Sequence, residues 1–127
     1  MQFGILLAIA IGGAFGSIAR HYLSTGIYNA TGAAFPYGIL GVNVMGGLIM
    51  GIVVELGALK LNYSPEIRAF LTTGILGGFT TFSAFSLDTA LLIERGDWLG
   101  TAVYIVASVA LSVGALFTGL WLVRAIA

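Results

Sequence analysis

Four apolar stretches account for most of this chain, each of roughly 20 residues, about the length a helix needs to cross a hydrocarbon layer of roughly 30 Å. They run from Phe3 to Leu23, Tyr37 to Leu59, Glu66 to Ile93 and Trp98 to Arg124. With 59% hydrophobic and 8% charged residues over 127 positions, and a mean hydropathy of +1.07, the chain is too apolar for a water-soluble fold of its size. The expected fold class is an all-α membrane protein, one four-span domain over residues 1–127. Tyr22, Tyr37, Tyr63, Trp98 and Trp121 fall near span ends, where amphipathic rings settle at the headgroups. No basic residue precedes the first apolar run, which argues for a retained span rather than a cleaved signal peptide.

The absence of cysteine removes disulfides and thiolate metal sites, and five basic against five acidic residues leave no electrostatic footprint for nucleic acid. The longest connection is expected from Ser24 to Pro36. If the N-terminus defines one side of the membrane, Lys60, Arg68 and Arg124 lie near that side and Arg20 and Arg95 near the other. So small an asymmetry leaves the orientation of insertion undecided.

The third span carries the least ordinary stretch, GILGGFTTFSAFSLD from Gly74 to Asp88. An unpaired peptide group in hydrocarbon costs several kcal/mol, so a break at membrane depth persists only where protein or a wet cavity covers it. The sequence predicts that the first half of this span ends at Gly77-Gly78 and that a second half restarts around Thr80 and Thr81. Freed carbonyls on one side of such a break favour a cation and freed N–H groups on the other favour an anion. No carboxylate lies within the break, so a cation there would rest on carbonyl and hydroxyl oxygens, which suits a hard monovalent ion. Phe82 and Phe85 follow at i, i+3 and share a helix face. They are either packing residues or rings whose positive edges can meet an anion without a formal charge.

Other spans contribute polar groups. Asn43, about two turns into the second span, either staples helices together or faces a polar path. Tyr104, Ser108 and Ser112 stand at successive i+4 steps, three hydroxyls along one side of the fourth span. Arg20 near the end of the first span can snorkel to the interface or lend positive potential to a pore mouth. Glu55 is expected at the interface, and Asp88 to pair with Arg20 or Arg95. Gly12-xxx-Gly16 and Gly47-xxx-Gly51 have the small-xxx-small spacing of closely packed membrane helices.

Three of these motifs together resemble the Fluc family of small fluoride channels, nearly end to end. GGAFGSIARHY is similar to the family's first-span signature, GVNVMGG to its asparagine motif and GGFTTFSAF, the most specific, to its third-span GGxTTFSTF. The resemblance implies an antiparallel homodimer of four-span subunits in the inner (plasma) membrane, with two pores that export fluoride passively. It places Asn43, Phe82 and Phe85 on the fluoride pathway, with Tyr104, Ser108 and Ser112 as the facing polar track, the hydroxyls of Thr81 and Ser83 nearby and Arg20 at the vestibule. It also implies a structural central sodium ion held by the backbone carbonyls of Gly77 and Thr80. Ile39 and Ala84 depart from the family pattern, each removing a hydroxyl near the path. The competing reading is a small proton-coupled multidrug exporter, which needs a carboxylate deep in a span, and the first span has none. An enzyme is not expected, as no nucleophile–base pair or metal cluster is visible.

Overall fold

The structure, a computed structural model, describes residues 2–127, and these are entirely helices and short connections. The first span is α1 (Gln2–Thr31) and the second is α2 (Tyr37–Leu59). The third is built in pieces: α3 (Pro65–Arg68), a π-helical segment (Ala69–Leu76), α4 (Gly77–Phe79) and α5 (Phe82–Glu94). The fourth is α6 (Trp98–Ile126). All four are long and apolar enough to cross a membrane.

The first helix runs past Leu23 to Thr31, so the long connection expected from Ser24 shrinks to residues 32–36. The hydroxyls of Ser24 and Thr31 do not break the helix, because each donates back to a carbonyl of the preceding turn, His21 and Ile27 respectively. The stop comes at Gly32, whose φ of 84° is a left-handed exit that glycine adopts freely. At the other end of α2, Pro65 occupies the first turn of α3 as expected, and the Ser64 hydroxyl caps it by accepting from the Ile67 N–H at 3.2 Å.

The glycine pairs serve packing. A methyl group on Gly12 would meet the Phe70 carbonyl and the Ile75 nitrogen of the third span, and one on Gly16 would strike the Ile75 carbonyl. On the other side of the bundle Gly51 lies against Leu116 and Gly119 of α6, and Gly119 in turn against the Leu48 carbonyl. The α1 and α2 backbones thus each lie directly on a neighbouring span. Close approach of α2 and α6 also gives Glu55 a partner: near the end of α2 it is 9% exposed and accepts a hydrogen bond from the Arg124 Nε, because the neighbouring helix delivers a cation there.

The interruption of the third span is present, but it lies at Thr80-Thr81 rather than at Gly77-Gly78. Gly77 and Gly78 stay helical, and Gly78 is needed for packing, since a methyl there would meet Gly13 of α1. The chain leaves the helix when Thr80 swings to ψ 158° and Thr81 to φ −154°, ψ 123°, both extended. The sequence reading also has no counterpart for the π-helical turns ahead of it; segments of this kind occur frequently at functional sites.

Candidate functional site

The break is closed by one side chain. Thr81 is too extended to find helical partners, and Asn43 supplies both: its Oδ1 accepts from the Thr81 N–H at 2.8 Å and its Nδ2 donates to the Thr81 carbonyl at 3.1 Å. The amide imitates the paired edge of a β-strand, satisfying a donor and an acceptor that would otherwise be orphaned at membrane depth. The Thr81 hydroxyl then starts the next helix, accepting from the Ala84 N–H at 3.1 Å and lying 3.2 Å from the Ser83 hydroxyl. The Thr80 hydroxyl turns back to donate to the Leu76 carbonyl at 2.9 Å.

Beside the break runs an open groove of about 430 Å³, lined by Asn43, Thr80, Thr81, Phe82, Phe85, Ser108 and Ser112 together with Met50, Val109 and Leu116. No charged side chain lines it. Phe82 and Phe85 stack at 5.3 Å between centroids, tilted by 44°, and Phe82 stands 78% exposed. Across from them the hydroxyls of Ser108 and Ser112 are buried and have no hydrogen-bond partner. A buried hydroxyl left unpaired costs about 1–3 kcal/mol, and both belong to groove-lining residues of α6. Tyr104, expected on the same track, does not line the groove. It is fully buried, with its ring 5.2 Å from Phe85.

Other sequence-predicted residues fall elsewhere as well. Arg20 and Ser83 line a separate cavity of about 490 Å³ on the far side of the break, with Thr81 common to both spaces. Neither ion pair among the described residues involves Arg20. Gly77 is exposed and outside the groove. Asp88 pairs with neither candidate arginine. It accepts from the Tyr104 hydroxyl at 3.1 Å, because α6 places that donor alongside, while Arg95 turns away to the carbonyls of Ala33 and Ala34. The sequence reading missed Gly46 as well: a methyl there would collide with the Thr80 side chain and with Phe79, so glycine makes room for the break. The GG pair in GVNVMGG was the available signal.

Residues 7–120 match the family described as CrcB-like protein, Camphor Resistance (CrcB). A relative from Chelativorans sp. is 53% identical over 121 residues, covering 95% of this chain and 97% of its own length. One from Rhodospirillum centenum is 50% identical over 120 residues, with 94% and 95% covered. A third, from Nitrobacter winogradskyi, is 48% identical over 126 residues, covering 99% of this chain and all of its own. Each of these three relatives carries the name fluoride-specific ion channel FluC. Matched over nearly its whole length, on the spans whose motifs resemble those of the fluoride channels, the chain belongs to the CrcB family.

Proposed function

We infer that this multi-pass membrane protein is a fluoride-selective channel that lets fluoride leave the cell passively, and that it works as an antiparallel homodimer with two pores. The observation that carries this reading is the uncharged groove in which two unpartnered buried serine hydroxyls face a pair of phenylalanines beside a stapled helix break. Fluoride is small and strongly hydrated, so its path must replace water with donors yet release the ion quickly. Rotatable O–H donors of Ser108 and Ser112, the second N–H of Asn43 and ring edges of Phe82 and Phe85 offer attraction without a full charge. Arg20, in the cavity beyond Thr81, raises the local anion concentration at one mouth.

Proton-coupled drug export is the weaker reading. The carboxylates buried in the spans are engaged: Glu55 with Arg124, and Asp88 with Tyr104. The deciding experiment is efflux from liposomes carrying the purified protein. Fluoride should leave rapidly with no proton gradient and chloride should stay behind. Flux that requires a proton gradient would favour the carrier instead.

The residues at the break also fit a central sodium ion. In a continuous helix the Thr81 N–H would bond the Gly77 carbonyl and the Ala84 N–H that of Thr80. Here the first goes to Asn43 and the second to the Thr81 hydroxyl, so the carbonyls of Gly77 and Thr80 lose their helical donors. Two hard oxygen ligands from one subunit and two from a second copy would hold the ion on a two-fold axis, where it would tie the subunits together. A second copy would also cover the exposed Ser83, whose hydroxyl lipid tails would cover poorly.

A further inference from the structure

Arg95 and Phe35 do not line the groove, yet both bear on it through Tyr104. The turn leaving α1 at Gly32 is held to the far end of α5 by the Arg95 guanidinium, whose Nη1 donates to the Ala33 carbonyl at 3.1 Å and Nη2 to the Ala34 carbonyl at 2.7 Å. A planar fork on two successive carbonyls fixes orientation as well as distance. Arg95's contact with Asp97, at 3.8 Å and half exposed, is loose by comparison. So pinned, the turn presents Phe35 to Tyr104 in a T-shaped contact, with centroids 5.6 Å apart and planes at 89°.

Tyr104 stands between two spaces. One of its neighbours, Phe85, lines the groove, whereas Phe35, Asp88 and Arg95 line a second cavity of about 370 Å³ at the α1–α2 and α5–α6 turns. The tyrosine hydroxyl is tied to Asp88 and its ring is held between Phe85 and Phe35. Tyr104 itself has no exposed surface and lines neither space; it is packed between residues of the two.

We propose that Arg95 is a positioning residue for the ion path: by pinning the turn it seats Phe35 against Tyr104 and holds the tyrosine ring as the partition between groove and second cavity, which the ion crosses beside it. How far that partition yields, and with it discrimination against anions larger than fluoride, depends on this remote guanidinium. The proposal rests on the groove being a fluoride path. Once the turn is released, Tyr104 loses one of its two aromatic contacts, and its freed motion admits chloride.

The test compares fluoride and chloride efflux from liposomes containing the wild-type protein, Arg95→Ala, Arg95→Lys, Phe35→Ala and the Arg95→Ala/Phe35→Ala double variant. In Arg95→Ala and Phe35→Ala the chloride-to-fluoride ratio should rise about three- to tenfold, the size of effect an edge-to-face ring contact supports. The double variant should go no further than either single one, and Arg95→Lys should fall between, since an ammonium cannot fork across both carbonyls. A merely structural arginine would lower thermal stability in detergent and leave the ratio untouched, and that result overturns the proposal. So does an additive double variant. If Arg95→Ala is not monodisperse, the ratio in Phe35→Ala decides alone. A wild type that passes no fluoride removes the channel reading itself, whereas unchanged ratios in variants of a conducting wild type remove only the role of Arg95.

Discussion

Asn43 and Phe82 sit in the same groove but answer to different forces, which lets substitution separate path from scaffold. The Asn43 amide closes the break through both Thr81 backbone groups, so Asn43→Asp replaces a donor with a negative oxygen aimed at the Thr81 carbonyl. It is expected to stop fluoride efflux and also to cost about 1–3 kcal/mol of stability, read as a lower unfolding temperature in detergent. Phe82 is 78% exposed and supports little within its own subunit. Phe82→Ile keeps apolar bulk and removes the positive ring edge, so efflux should fall at least tenfold with the unfolding temperature nearly unchanged. Phe117→Ile, also exposed but outside the groove, should leave efflux within a factor of two of wild type. Efflux measured with a fluoride electrode checks all three, and near-normal efflux in Phe82→Ile would remove the ring from the path.

At the scale of helices, backbone proximity sets which positions tolerate change. Gly51→Ala would place a methyl against the Leu116 carbonyl and Gly119 and push α2 from α6, a strain of about 1–3 kcal/mol. Gly26→Ala, in the same kind of helical backbone but with nothing within 4 Å, should be neutral or raise stability by about 0.5 kcal/mol. The Glu55–Arg124 pair is asymmetric in the same way. Arg124 is largely exposed and can reach water if Glu55 is removed, while Arg124→Ala leaves a buried carboxylate without its cation. Arg124→Ala should therefore cost about 2 kcal/mol and Glu55→Gln well under half of that, by thermal unfolding in detergent. These elements also mark what the sequence could tell. Apolar length revealed all four spans, and Tyr37 and Leu59 bound α2 as expected. The two serines of the hydroxyl stripe and the i, i+3 phenylalanines do line one groove, because helical spacing fixes which side chains share a face, but Tyr104 is packed behind it. The break was displaced because a Gly-Gly pair reads equally as a stop and as a close contact, and only the position of Gly13 across the interface decides which. The partner of Asp88 was hidden for a related reason: charge identifies candidates, but the stagger between helices selects the tyrosine over either arginine.

For the molecule as a whole, the position of its charges bears on how copies meet. Lys60, Arg68 and Arg124 lie at the end of the bundle that holds the α2–α3 connection, and Arg95 lies at the turn opposite, with Arg20 further along α1 toward that side. Orientation follows the Lys/Arg bias of short loops, and three against two is too small a bias to dictate it. Copies should therefore insert both ways, which supplies the opposite orientations that an antiparallel pair requires. In such a pair the broken third spans would face each other, bringing the released carbonyls of Gly77 and Thr80 from both subunits around one point. Sodium held there should bind the dimer more tightly than potassium or a bulky organic cation does, because smaller ions gain more from close carbonyl oxygens. Two measurements bear on this. A reporter fused to the C-terminus should be found on both sides of the membrane in cells, and a reporter confined to one side would exclude an antiparallel pair. Dimer dissociation in bilayers, followed by fluorescence between labelled subunits, should be at least tenfold weaker in sodium than in N-methylglucamine. Equal dimer stability in the two salts would leave the freed carbonyls without a structural cation and return their satisfaction to water.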